Sequence, residues 1–374
     1  AMKKLENPFL LLGYYGPAYF CNREEELLQL SDHIKNGRNV VLYAWRRLGK
    51  SALINRFLQE EEKSENIEAI YIDIMATENT SQAIEAIIEA VCEKYGKTQT
   101  GGLSAAFQKL IGSLGVTLSF DSFTGLPSFS IAAHPSQQNE ITLNRIGEFL
   151  SDKKKQVVIA IDEFQQITSY EEKNVEAIFR QFMQSFPSIR FIFSGSQRNL
   201  MTQMFLEKKR PFYKSCQLIS LESIPLEKYQ PFIEQHFAEA GKKIEPEIIH
   251  EIYDWSRGQT YSVQLLCNLL FGANEISQAK LEEIKKSILV QEAPFYSSYQ
   301  KILTKAQWQV LLAIAREGYA EKVTSKKFLS KHNLAASSTV NSALKTLINN
   351  EVVVFEDGKH FVHEVIFGRW LATL

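Results

Sequence analysis

The sequence predicts an α/β domain built on a parallel sheet, then a small all-helical domain, then a C-terminal module of three helices and a hairpin. Three patterns carry that prediction. From Asn39 to about Leu221, short β-branched and aromatic runs alternate with helical stretches, the signature of βαβ units. After Leu221 the strand signal stops and helical periodicity continues to roughly Val290. From Thr304 the apolar spacing reads helix, helix, helix and then hairpin.

Five runs read as strands of the sheet: NVVLYA from Asn39, EAIYIDI from Glu68, QVVIAID from Gln156, RFIFSGS from Arg190 and CQLISL from Cys216. Each is nearly continuously apolar, as strands covered on both faces require. Between the second and third, Val116, Leu118 and Phe120 alternate, FTGLP follows at Phe123 to Pro127, and Phe129 and Ile131 alternate again. That pattern predicts a β-hairpin inserted at about residues 114–133. The expected domains are residues 1–221, 222–298 and 299–374, with Gly258 interrupting the helical part and Gln291 to Ser298, around Pro294, serving as a linker.

At 374 residues, 45% hydrophobic and 23% charged, the chain can bury ordinary cores in two or three domains. A net charge of −1 provides no global field for nucleic acid or an anionic membrane, so any such role must be local. Cys21, Cys92, Cys216 and Cys267 are far apart and form no CxxC pair, which points to buried free thiols in a reducing cytosol rather than a zinc or redox site. The histidines form no helical i, i+4 metal pair with a nearby Glu. No apolar run reaches the roughly 18 residues of a membrane span and no secretory leader is evident, so a cytoplasmic protein without a membrane partner is expected. Ala1 ahead of Met2 reads as a tag-cleavage scar.

The first strand runs directly into Ala44-Trp45-Arg46-Arg47-Leu48-Gly49-Lys50-Ser51, and Leu53, Ile54, Phe57 and Leu58 then follow at helical spacing. Strand, loop and helix in that order make a phosphate-binding loop. Backbone N–H groups curl around a phosphate, the helix N-terminus faces it, Lys50 reaches the β- and γ-phosphates and the Ser51 hydroxyl reaches Mg2+. The pattern GxxxxGK[ST] departs at its first position, where Ala44 replaces Gly; a small side chain is tolerated there if φ is negative.

About a hundred residues downstream, Val157 to Ile161 form an apolar strand that ends in Asp162-Glu163. An Asp for the metal followed by a Glu that polarises water is the arrangement phosphoryl transfer to water requires. Two carboxylates at the C-terminal edge of a buried strand have no packing rationale, and open α/β sheets bind ligands at that edge. The strand Phe191-Ile192-Phe193 ends in Ser194-Gly195-Ser196, so either Ser194 or Ser196 is a candidate to contact the γ-phosphate or the attacking water. ATP and Mg2+ are the implied ligands, with catalytic roles for Lys50, Glu163 and Ser196 and metal contacts from Ser51 and Asp162.

On these motifs the chain resembles the AAA+-like P-loop ATPases of the STAND class, in particular the archaeal-type ATPase family and its Bacteroidetes relatives. The resemblance rests on GYYGPAYFCNREEEL (Gly13 to Leu27), YAWRRLGKS, IAIDEFQQI, FIFSGSQRNLM, KRPFYKS (Lys209 to Ser215) and the closing HEVIFGRWL, and covers nearly the whole chain. It implies a P-loop sheet, a helical lid and a C-terminal winged helix, and places Asn22 and Arg23 near the adenine, with Phe20 either there or in the core. Tyr261 follows Gly258-Gln259-Thr260, where the family's lid carries Gly-x-Pro. The family's Pro-Leu-Tyr-Gly-Arg is here Pro211-Phe212-Tyr213-Lys214-Ser215, so its Arg is absent and Arg210 or Lys214 are the nearby cations. Arg46 and Arg47 match the family's Pro-Arg-Arg, and either face the phosphates or a lid carboxylate, or bridge to acids at the surface.

In the C-terminal module, AQWQVLLAIAR, SKKFLSKHN and SSTVNSALKTLINN read as helices, the last capped by Ser337 or Ser338, and VVVFEDGKHFVHE reads as a hairpin turning at Asp357-Gly358. The third helix exposes Ser338, Asn341, Ser342 and Lys345, few cations for a DNA-reading face, although the module carries roughly +3 overall. Two readings follow. One is a slow Mg-dependent ATPase; the alternative is a nucleotide-gated switch, in ATP and ADP states, whose winged helix engages a protein partner or, less favoured, DNA.

Overall fold

The computed structural model describes residues 5–96, 103–120, 127–131 and 138–374. The chain divides into two compact units, Arg23–Glu222 and a second that joins the N-terminal stretch up to Asn22 with Ser223–Leu374.

The strands of the first unit are β1 (Val40–Ala44), β2 (Ile67–Asp73), β3 (Val116–Phe120), β4 (Pro127–Ile131), β5 (Gln156–Asp162), β6 (Arg190–Gly195) and β7 (Gln217–Leu221). Five of them form one sheet in the order β2-β5-β6-β1-β7, every neighbouring pair parallel. From its second residue onward each of β5 and β6 is buried without interruption, because helices cover both faces and no residue needs to be polar. Register aligns the carboxyl ends at one edge: Asp73 stands opposite Asp162, and Leu42 opposite Ser194. β6 separates the β1 edge from the β5 edge, so residues at its end stand between the two.

The helix Lys50–Lys63 starts where the loop after β1 ends and buries Leu53, Ile54, Phe57 and Leu58, the four positions read from their spacing. Burying each such side chain contributes roughly 1.5–3 kcal/mol. Behind the sheet edge, Phe164, Phe193, Phe205 and Phe212 pack together, with ring centroids 4.5 Å apart for Phe164–Phe193 and 5.2 Å for Phe193–Phe212. These rings anchor the backbone beside Glu163 and Ser194, and Phe212 commits the KRPFYKS segment to the core. β3 and β4 pair antiparallel, from Val116 opposite Ile131 to Phe120 opposite Pro127, as the alternation predicts. Of the expected turn, residues 123–126 lie outside the described residues, as does His134.

In the second unit the helices Leu226–Glu239, Pro246–Trp255, Thr260–Phe271 and Gln278–Ser297 enclose an apolar core. Phe9 from the N-terminal stretch is buried in it, with ring centroids 5.5 Å from Phe237 and 5.7 Å from Phe271. The linker expected at Gln291 to Ser298 is instead the last turns of the helix Gln278–Ser297, with Pro294 inside it. Proline there forfeits one backbone hydrogen bond, and the packing of Ile284, Ile288 and Tyr296 on the core keeps the helix going.

The C-terminal module is a winged helix. Its helices are Lys305–Glu317, which opens with a Thr304/Gln307 capping box, Lys326–Lys331, capped by the Ser325 hydroxyl, and Ser337–Asn349. The third is not capped by serine as expected: Ser337 is already helical, Ala336 is the N-cap residue, and no side chain caps the helix. β8 (Val353–Glu356) and β9 (Lys359–Val362) form the wing, and Asp357 and Gly358 at its turn both have positive φ, 49° and 77°, as a tight two-residue hairpin demands. Ala320 bridges to His360 and widens the wing, and the helix Val365–Leu371 closes the chain.

All four cysteines are free and buried. Among the described residues no helix is long and apolar enough to cross a membrane, and no group of three or more His, Cys, Asp or Glu is placed to hold a metal ion.

Candidate functional site

The site lies at the carboxyl edge of the sheet, where β1, β5 and β6 end. Ala44 is the last residue of β1, fully buried, and has no positive φ, so the position tolerates a Cβ without backbone strain. Farther along, Arg47 has φ 68° and Gly49 φ 86°. An L-residue held in that left-handed region costs about 1–3 kcal/mol, a cost met mostly where a loop is shaped for a ligand. Trp45 is half-buried under the Arg198 guanidinium, 5.4 Å from its ring centroid, and Arg46 and Arg47 are exposed. Leu48 is buried, and its carbonyl accepts a hydrogen bond from Arg23 Nη2 at 3.2 Å. The other side of Arg23 is held by Glu26 Oε1 at 2.9 Å, so this buried cation braces the loop backbone.

Lys50 and Ser51 open the helix and meet Asp162 at the end of β5. The Lys50 ammonium donates to Asp162 Oδ1 at 2.6 Å and the Ser51 hydroxyl to Oδ2 at 2.5 Å. Ser194, from the intervening strand β6, donates to Oδ1 at 2.5 Å, and Tyr71 of β2 donates to Oδ2 at 2.8 Å. Burial opposes ionisation of Asp162, but the Lys50 charge, with hydrogen bonds from Lys50, Ser194 and Ser51, outweighs it and holds the carboxyl well below the usual range. Burial and the Asp162 charge push the Tyr71 phenol up, so it remains a donor at neutral pH. Burial raises the Asp73 carboxyl, and Asp162 and Glu163 add to the rise.

Glu163 follows with φ 55°, which turns its side chain away from the strand direction. Its Oε2 accepts from Gln165 Nε2 at 2.6 Å and from Ser196 Oγ at 2.7 Å, while Oε1 lies 3.8 Å from Lys50 Nζ. The two serines of Ser194-Gly195-Ser196 thus divide their work, one on each carboxylate. Gly195 between them is required by close approach: a Cβ there would stand 2.3 Å from Gln165 Oε1 and 2.5 Å from the Met201 side chain.

The structure therefore brings together Lys50, Ser51, Asp162, Glu163, Ser194 and Ser196, with Arg23 behind the loop. Sequence reasoning missed Tyr71 and Gln165; the DEFQQI run held the latter in plain view, two residues beyond Glu163. Arg210 is engaged by Glu176, with Nε at 3.2 Å from Oε2, and Lys214 stands over the Tyr213 ring at 5.5 Å. Asn22 and Tyr261 belong to the other unit. There, Gly258 (φ 66°) and the N-cap residue Gln259 introduce the helix Thr260–Phe271, and Ser262 Oγ donates to Gln259 Oε1 at 2.7 Å.

Comparison with known proteins bears on the family and the fold. A family model described as an ATPase domain predominantly from Archaea matches residues 20–266, and one described as a probable winged helix domain matches residues 294–373. No curated protein matches the chain. Among solved structures, a Walker-type ATPase of Pyrococcus abyssi superposes with a TM-score of 0.69 at 17% identity, over 97% of this chain and 99% of that one. The ORC2 protein of Aeropyrum pernix, solved as ADPNP–ADP complexes, gives a TM-score of 0.60 at 13% identity over 94% and 92%. The ORC1 protein of the same organism, solved in complex with DNA, gives 0.53 at 14% identity over 98% and 96%. At these identities the likeness establishes the fold.

Proposed function

Because the chain belongs to the family described as an ATPase domain predominantly from Archaea, we propose that it binds ATP with magnesium and hydrolyses it slowly, as a STAND-like nucleotide switch. The observation that supports this most is the convergence of Lys50, Ser51 and Ser194 on Asp162, with Glu163 held alongside by Gln165 and Ser196.

Lys50 and the amides of residues 44–51 bind the phosphates, the ammonium exchanging its carboxylate partner for phosphate oxygens. Ser51 Oγ and Asp162 Oδ2 are hard oxygen donors 2.5 Å apart, and an Asp held ionised suits magnesium, which takes one or two protein oxygens and fills its shell with water and phosphate. Magnesium, when bound, neutralises charge on the β- and γ-phosphates. Glu163 orients the attacking water and accepts its proton through Oε1, which faces Lys50 at 3.8 Å, while Gln165 and Ser196 fix Oε2. Arg23 keeps the loop in shape through the Leu48 carbonyl.

The readout is a protein partner rather than DNA, because the exposed face of the helix Ser337–Asn349 carries Lys345 as its single cation. The test is phosphate release and nucleotide calorimetry on the intact chain with and without magnesium. Failure of the wild-type chain to bind ATP, or undiminished turnover in Glu163→Gln, would sink this reading.

A further inference from the structure

A cavity of about 380 Å³ lies within the second unit. Arg257, Lys359 and Arg369 line it together with Tyr319 and Phe361, and no Asp or Glu is among its lining residues. The residues come from four places: the turn after the helix Pro246–Trp255, the segment that follows the helix Lys305–Glu317, the wing strand β9, and the closing helix Val365–Leu371.

The three cations have no carboxylate partner in the cavity. Arg257 Nη2 donates to the Val362 carbonyl at 2.5 Å, and its guanidinium stands 5.3 Å from the Phe361 ring centroid. Arg369 donates to the carbonyls of Trp255 and Asp254 at 3.1 and 3.2 Å, and Lys359 Nζ stands 4.3 Å from the Tyr319 centroid. Glu251 and Asp254 act electrostatically on Arg369, but neither lines the cavity. Burial lowers the Arg257 guanidinium to about 10, and the like charge of Arg369 adds to the drop. Arg257 also has φ 47°, a strained backbone for an arginine, immediately before Gly258 at φ 66°. Carbonyls and π-faces therefore stabilise these charges only in part, and Arg257 Nε and Nη1 and Arg369 Nη1 have no protein acceptor among the described residues.

We infer that this cavity binds a small oxyanion-bearing molecule, a phosphate or a carboxylate held between Arg257, Arg369 and Lys359, with its apolar part against Tyr319 and Phe361. Its volume lies at the small-metabolite end of the range for ligand pockets, roughly 300–1,000 Å³. Arg257 retains Nε and Nη1, and Arg369 Nη1, as donors for the oxygens of planar and tetrahedral oxyanions. Such a ligand would tie the wing to the helical core and so act on the module opposite in sequence from the phosphate-binding loop.

The test is calorimetry of the full chain with inorganic phosphate and, separately, citrate, at about 150 mM salt to screen diffuse surface attraction. Saturating ADP is present throughout, so that the loop after β1 is already filled. Binding of either anion is expected, with preference for one assigning the phosphate or the carboxylate class. Lys359→Glu, on the half-exposed wing, is expected to weaken binding at least tenfold, and Arg257→Gln similarly, while Arg257→Lys retains part of it. Melting curves establish that each variant folds. Absence of binding under ADP, or unchanged affinity in Lys359→Glu, overturns the inference. Displacement of phosphate by a short random duplex also overturns it, assigning the cations to a nucleic-acid backbone.

Discussion

The Lys50 ammonium stands 2.6 Å from Asp162 Oδ1, and the two side chains are 6% and 1% exposed, so each buried charge depends on the other. Lys50→Met should therefore cost about 3 kcal/mol of stability at neutral pH, the usual penalty for leaving one member of a buried pair alone. The cost depends on pH. Asp162 is depressed in the native protein, so its contribution is present above the unfolded carboxyl value of about 4 and lost as pH falls below it. Without Lys50 most of that contribution is gone, so the stability of the variant depends less on pH over the same range. The gap in melting temperature between the two proteins should narrow toward pH 4 and widen toward pH 7. A gap independent of pH would mean that Lys50 acts through packing alone.

The same lysine is the phosphate cation in the proposed mechanism. Lys50→Ala should abolish measurable ATP binding, whereas Glu163→Gln should keep binding and lose turnover by about 10²-fold or more. Calorimetry and phosphate release separate the two. Unchanged hydrolysis in Glu163→Gln would remove that residue from the chemistry.

Gly195→Ala probes the support of Glu163 without touching it. A Cβ at Gly195 displaces Gln165 and Met201, so Glu163 loses a donor at Oε2. Turnover should fall about tenfold, roughly 1.4 kcal/mol in barrier, with ATP affinity little changed. Gln165→Glu, which replaces the donor by a like charge, should lower turnover further and move the acid limb of the pH–rate profile upward. An unmoved profile would leave Gln165 with packing only.

Ala44→Gly restores the glycine of the common loop pattern. Since Ala44 lies in extended β1 without positive φ, the substitution relieves no strain and affinity for ATP should stay within about tenfold, 1.4 kcal/mol. A large gain in affinity would show that the Cβ crowds the phosphates.

By fluorescence anisotropy at about 150 mM salt, where nonspecific affinities are weaker than about 1 μM, the intact chain with ATP should not bind random duplex tightly. The third helix of the winged module has Lys345 and no Arg, and in the wing Glu356 and Asp357 accompany Lys359. Arg to guanine is the commonest specific base contact. Submicromolar binding that distinguishes sequences would make the module a DNA reader.

Much of the site was legible because its chemistry is local in sequence. Ala44 to Ser51 is one contiguous loop, and Asp162-Glu163 terminates one apolar run. Tyr71 was not legible, since in EAIYIDI it reads as one more aromatic strand residue; only the pairing of β2 with β5, which sets Tyr71 opposite Ala160, brings its hydroxyl to Asp162. Gln165 likewise acquires meaning from Gly195, thirty residues on in sequence and packed against it in space. Arg23, read by resemblance as an adenine neighbour, is seen holding the Leu48 carbonyl, a contact between segments that no periodicity predicts. Pro294 misled for the opposite reason: its local signal was strong, and tertiary packing of Ile288 and Tyr296 overrode it.

Burial raises the Cys92 thiol to about 11 and Cys216 to about 12, pushes Cys267 further, and leaves Cys21 covered as well. At neutral pH the thiols of Cys92, Cys216 and Cys267 stay protonated and all four cysteines are shielded, so alkylating dyes meet no fast-reacting sulfur on the native surface. Cysteines introduced at exposed Ser64 and Ser342, one in each unit, would then take up a fluorophore pair in an otherwise unaltered background. Energy transfer between them would report whether added nucleotide alters the spacing of the two dyes.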